Sequence, residues 1–172
     1  MFKVGETIVC DHNGVCEVVD IREIPELSPG RLYYVLEPVY SRGSRIFAPV
    51  DTQKLVIRSL MTAEEVQRLM DDIPNIESMW ITNEKKREDA YKAAARQYDC
   101  REWIRIIKTI HLRKLSRLEE GKKITYIDEK YLKLAEENLY RELCIPLGIG
   151  PDEVDAYIHD HIVSSMEADT AG

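Results

Sequence analysis

No run of about 18 apolar residues occurs anywhere in the 172-residue sequence, so no membrane-spanning helix is expected. The opening MFKVGETIVC lacks a basic segment leading into a long apolar stretch, and so lacks the pattern of a secretory signal. Four cysteines without such a signal fit reduced thiols in a cytoplasmic setting better than a disulfide framework. An excess of positive charge is missing too. The formal net charge is −7, so the chain as a whole should be repelled by polyphosphates. No glycine-rich phosphate loop follows a strand, since GIGPDE around Gly148 has the wrong spacing, and no Gly-x-Ser-x-Gly elbow appears. Carboxylates are plentiful but interleaved with lysines on helical segments, the ordinary solvated pattern. These absences argue against an enzyme, a small-molecule substrate and a bound cofactor.

What is present is ordinary globular composition, 44% hydrophobic and 32% charged, in a length that allows one large domain or two small ones. Residues 1–58 read as five short strands, near 4–10, 15–21, 32–39, 45–49 and 54–57, rich in Val, Ile and Tyr. DHNG, PELSPG, SRGS and VDTQ separate them. Short strands with tight turns predict a small, strongly bent antiparallel barrel of the SH3 or Tudor kind. From residue 59 the texture becomes helical. Thr62-Ala-Glu-Glu65 is a capping-box pattern opening a helix to about Asp72. DDIPNIESMWITN reads as a linker. Further helices are expected over 83–98, from the Asp99 cap to about 118, over 125–143, and in a short segment starting at Pro151. The expected class is therefore α+β with two domains: a β module over 1–58, an all-α module over 59–166, and a frayed tail over 167–172.

Cys10, His12 and Cys16 lie within seven residues and are zinc ligands by type. Cys10 and Cys16 can share one face of a hairpin, but His12 falls in the turn and a fourth ligand is missing. Two buried apolar thiols flanking a turn is the plainer alternative. His159 and His161, two apart, do not share a helix face.

Positive charge is concentrated. Residues 101–123 hold eight lysines and arginines against three acids, and Lys85, Lys86 and Arg87 precede them, whereas 151–172 is purely acidic. One part of the helical module is thus a candidate to face phosphates, against the alternative of a solvated helix with compensating pairs. Trp80 lies in the linker just before the basic cluster. It suits either an apolar wedge of the kind that enters an unstacked base step or a staple closing the linker on a helix. Trp103 is in phase with Ile106, Ile107 and Ile110 and is expected in the core.

FKVGETIVCDHNGVCEVVDI, YYVLEPVY and IFAPVD, followed by CREWIRIIKTIHLRKLSR and DEKYLKLAEENLYREL, together resemble the CarD/CdnL family of bacterial transcription regulators. The first half is also similar to the polymerase-interacting module of the transcription-repair coupling factor. The resemblance implies a Tudor-like domain that docks on the RNA polymerase β subunit by adding a strand edge. Arg45, Ile46, Phe47, Ala48 and Pro49 occupy the matching segment. The family often has a basic residue where this chain has Phe47, and Arg45 lies two positions back on the same face. The resemblance also implies a helical domain at promoter DNA, at the upstream edge of the bubble and without sequence specificity. Trp80 is the candidate wedge, with Lys85, Lys86, Arg87 and Lys92 as phosphate partners. No metal is expected. The expected function is stabilisation of the open promoter complex. The alternatives are a polymerase adaptor that never touches DNA and a small zinc protein built on Cys10 and Cys16.

Overall fold

The computed structural model describes the backbone of residues 1–171 and the side chains of 1–167. The chain divides into two compact units, Met1–Leu60 and a second beginning at Met61.

The first unit is a five-stranded antiparallel sheet: β1 (Thr7–Cys10), β2 (Val15–Glu23), β3 (Leu32–Pro38), β4 (Ile46–Pro49) and β5 (Ile57–Ser59), in the order β4-β3-β2-β1-β5. The β1–β2 connection is a tight 3-10 turn at Asp11–Asn13, and its left-handed residues are Asp11 (φ 47°) and Gly14 (φ 70°). Asp11 tolerates that conformation because its own carboxylate accepts the His12 N–H at 2.8 Å. A bulge between Val18 and Asp20 bends β2. One face of the sheet then packs Ile8, Cys10, Cys16, Val18, Tyr34, Leu36 and Ala48, while Ile24, Tyr33 and Val35 form a second small cluster. Such a bent sheet is compatible with the Tudor-like barrel expected from the sequence. The last strand falls at Ile57–Ser59 rather than 54–57. Its register with β1 (Cys10 opposite Ile57, Ile8 opposite Ser59) decides this, and residues 51–54 are spent on a turn in which Thr52 N–H bonds to Pro49.

The second unit is all-α: α1 (Ala63–Asp71), α2 (Glu84–Ala95), α3 (Cys100–Glu119), α4 (Tyr126–Leu147) and α5 (Pro151–Ala171). Thr62, Asn83, Asp99 and Thr125 cap the first four, each side chain accepting a first-turn N–H. Tyr98, left-handed at φ 47°, stops α2 short of the predicted end. Gly148 closes α4 in a Schellman arrangement, with Ile149 N–H reaching Cys144 O at 3.2 Å. α4 therefore runs four residues past its expected end, with Pro146 in the final turn.

Trp103, Ile104, Ile106, Ile107 and Ile110 of α3 are buried against Tyr131, Ala135, Leu139 and Leu143 of α4. The core position expected for Trp103 is the one observed, at 2% exposure. α5 is long where a short helix was expected. Val154, Ile158, Ile162 and Met166 recur every fourth residue and are all buried, which anchors the helix along its length. The helix continues to Ala171, over most of the segment read from sequence as a frayed tail. Gly172 lies outside the described residues.

Candidate functional site

Two surfaces carry the residues singled out by the sequence. On the first unit, β4 is an edge of the sheet and pairs only with β3, Phe47 opposite Val35 and Ala48 opposite Tyr34. Its pleat sorts the five candidate residues. Ala48 is fully buried, Ile46 and Pro49 are half-buried, and Arg45 and Phe47 are exposed. An edge strand presents unpaired N–H and C=O groups along its free side and is a template for a further strand. Beside it, Glu17 and Glu37 stand directly opposite each other on β2 and β3, a repulsive pair taken alone. Arg42 bridges them at 3.0 and 2.8 Å, and Arg45 joins Glu37 at 3.1 Å. The Arg42 hydrogen bond, with the Arg45 charge, holds the Glu37 carboxyl below its usual range. Arg45 is therefore a held, exposed cation at the start of the free edge.

The second surface surrounds Trp80. Between α1 and α2 the chain makes one 3-10 turn (Ile73–Asn75) and then runs without regular structure to Asn83. Such a strap cannot satisfy its own backbone, and its buried polar groups need partners elsewhere. One face of α3 supplies them. Arg101 pairs with Asp72, and Lys108 Nζ donates to the carbonyls of Ile73 and Ile76, both at 3.1 Å. Arg105 Nε donates to Glu77 O at 3.1 Å, and Thr109 Oγ1 accepts the Met79 N–H at 2.8 Å. From α2, Arg87 reaches the carbonyls of Ile81 and Thr82 through longer contacts of 3.4 and 3.5 Å. Met79 and Ile81 line a groove with Ala90, Ala93 and Ala94 of α2. Trp80, between them, is 57% exposed.

This geometry corrects the sequence reading of the basic residues. Arg87 is not a phosphate partner: it is 2% exposed and its Nε bonds to Asp128 at 3.2 Å. Asp128, itself fully buried, also accepts from Tyr91 at 2.9 Å and from Arg113 at 3.0 Å. Burial opposes the charge on Asp128, but these hydrogen bonds and the Arg113 and Arg87 charges outweigh it, and the carboxyl stays below its usual range. Of the 101–123 cluster, Lys108 faces inward to the strap and Arg113 to Asp128, while Arg101 and Arg105 bond to residues 72 and 77 from partly exposed positions. Lys85, Lys86 and Lys92 are exposed on α2, Lys92 with Glu88 at 3.4 Å. The structure thus keeps Trp80, Lys85, Lys86 and Lys92 on the surface and removes Arg87.

Thr109, Lys108, Arg113 and Asp128 were not singled out from the sequence. A signal existed. Positions 101, 105, 108, 109 and 113 recur at helical spacing, a polar stripe on a helix otherwise rich in isoleucine.

Cys10 and Cys16 share the buried face, while the His12 side chain is 73% exposed, so the three candidate ligands do not converge. Burial, reinforced by the neighbouring Cys10, pushes the Cys16 thiol up to about 12, away from the thiolate a metal requires. Among the described residues no group of three or more His, Cys, Asp or Glu is arranged to hold a metal ion. His161 turns back onto its own helix, with Nδ1 2.7 Å from Tyr157 O, and His159 meets the His111 ring at 5.4 Å.

A small antiparallel sheet with an open edge strand, followed by a separate helical unit, defines an α+β protein of two compact parts. No helix among the described residues is long and apolar enough to cross a membrane. Residues 2–61 match the family model of the CarD-like/TRCF RID domain, and this first unit is a member of that family. The family is one of RNA polymerase-interacting domains. No curated protein matches the chain.

Proposed function

We propose that the chain is a transcription regulator that docks on the β subunit of RNA polymerase through β4 and stabilises the open promoter complex with its helical unit. The free edge of β4 inside the family-matched unit carries the first half of this reading. Strand addition there would draw affinity from backbone hydrogen bonds, with exposed Phe47 and Arg45 supplying side-chain contacts. The exposed indole of Trp80 carries the second half. A large aromatic left in water on an otherwise tightly bonded strap suits stacking on an opened base step, with Lys85, Lys86 and Lys92 contacting phosphates without reading bases. Favouring the distorted duplex over the closed one shifts the equilibrium toward melting.

Two variants of the full chain test the halves separately. Phe47→Asp places a charge on the docking edge and is expected to abolish capture by the purified β-subunit lobe. Trp80→Ala is expected to bind the lobe normally and to shorten the lifetime of the open complex. A second reading, a polymerase adaptor without DNA contact, gains from the burial of Arg87. It predicts unchanged promoter kinetics for Trp80→Ala.

A further inference from the structure

We infer that Thr109 and Arg105 of α3 are positioning residues for Trp80: they hold the strap so that the indole is presented in one fixed orientation. The inference rests on the reading of Trp80 as a DNA-contacting residue. The strap has no ladder or helix to keep its shape between residues 76 and 83. Its order comes instead from side chains of neighbouring helices. The peptide entering Met79, one residue before Trp80, is held by α3: Met79 N–H donates to Thr109 Oγ1 at 2.8 Å, at a site buried on both sides. Thr109 is itself fixed, because its hydroxyl donates to Arg105 O at 2.7 Å, the carbonyl one helical turn back. The same Arg105 returns its guanidinium to Glu77 O at 3.1 Å. One helical turn thus grips the strap at residues 77 and 79, while Arg87 contacts 81 and 82 beyond the indole.

Met79 is 7% exposed and Trp80 57%, so the held backbone turns one side chain in and the next out. An aromatic that must enter a narrow step binds with less ordering cost when its backbone is already fixed. Arg105 of α3 therefore serves DNA contact indirectly, through the strap.

Thr109→Val keeps the shape of the side chain and removes the hydroxyl, whereas Thr109→Ser retains it. Arg105→Met, at a half-exposed position, frees Glu77 O and gives a second variant that leaves the core intact. The full chain labelled with 5-fluorotryptophan yields one fluorine resonance for Trp80 and one for buried Trp103, an internal control. Thr109→Val and Arg105→Met are expected to move and narrow the Trp80 line toward that of free tryptophan. Trp103 should stay unmoved, and Thr109→Ser should match the parent. In promoter assays, Thr109→Val should shorten the open-complex lifetime by about the same factor as Trp80→Ala and add nothing in the double variant. A Trp80 line unmoved by both substitutions overturns the inference, as does a shift of both lines together, which would signal general loosening. If Trp80→Ala itself leaves the lifetime unchanged, the DNA reading fails, and the fluorine spectra still decide whether the strap is held by these residues.

Discussion

Asp128 shows how one buried residue sets the limits of substitution around it. It is enclosed by two guanidinium groups and a phenol, and each partner would be left with an unmet charge or donor if it were neutralised. Asp128→Asn is therefore expected to cost about 3–5 kcal/mol of stability, the range for breaking a buried pair from one side, read as a lower urea midpoint. The pH dependence follows from the sign of the shift. Its carboxyl is held below the ordinary range in the folded chain, so its contribution is complete above the unfolded value of about 4 and disappears as pH falls through the folded one. The stability gap between parent and Asp128→Asn should shrink under acid in that window. The cysteines give a second prediction at this scale. With burial raising both thiols, Cys16 to about 12, a disulfide reagent at pH 8 should leave Cys10 and Cys16 of the folded chain unreacted and modify them on unfolding.

At the scale of elements, the legible features were those written locally. Thr62, Asn83, Asp99 and Thr125 cap the helices they begin, because a cap needs only its own side chain and an N–H two or three residues on. The isoleucine phase of α3 placed Trp103 in the core for the same reason. What the sequence hid was long-range. Arg87 meets Asp128 across 41 residues, and Thr109 meets Met79 across 30. No spacing rule distinguishes a cation aimed at a carbonyl from one aimed at water or a phosphate, so the basic run did not reveal that Arg101, Arg105 and Lys108 hold the segment after α1. The α3–α5 contact carries a prediction of its own. Burial, with the nearby His159 and Lys114, lowers the His111 pKa against the pull of Asp155, so the ring is neutral in the fold. A base with a depressed folded value stabilises above its unfolded value of about 6.5 and loses that contribution as pH falls toward the folded one. The urea midpoint should drop between pH 7.5 and 5.5, and His111→Gln should flatten that slope.

For the molecule as a whole, the distribution of charge decides how the two units must work together. The net charge is −7, and α5 adds Asp152, Glu153, Asp155 and Asp160 without a single lysine or arginine. With Arg87 turned inward, the exposed cations among the candidate phosphate partners reduce to Lys85, Lys86 and Lys92, the last already shared with Glu88. Three such contacts give a shallow salt dependence and little affinity for free duplex against the repulsion of the rest. Docking the first unit on polymerase would replace that weak encounter with an intramolecular one at an effective concentration of about millimolar. The full chain should accordingly show no saturable binding to free promoter duplex at about 0.1 M salt in fluorescence anisotropy, where counterion release still favours cationic proteins. With polymerase present it should lengthen the open-complex lifetime, and Lys85→Ala should weaken that effect and lower its salt slope by about 1. Tight binding to free duplex would mean that the helical unit finds DNA unaided, and polymerase docking would then serve some other end than local concentration.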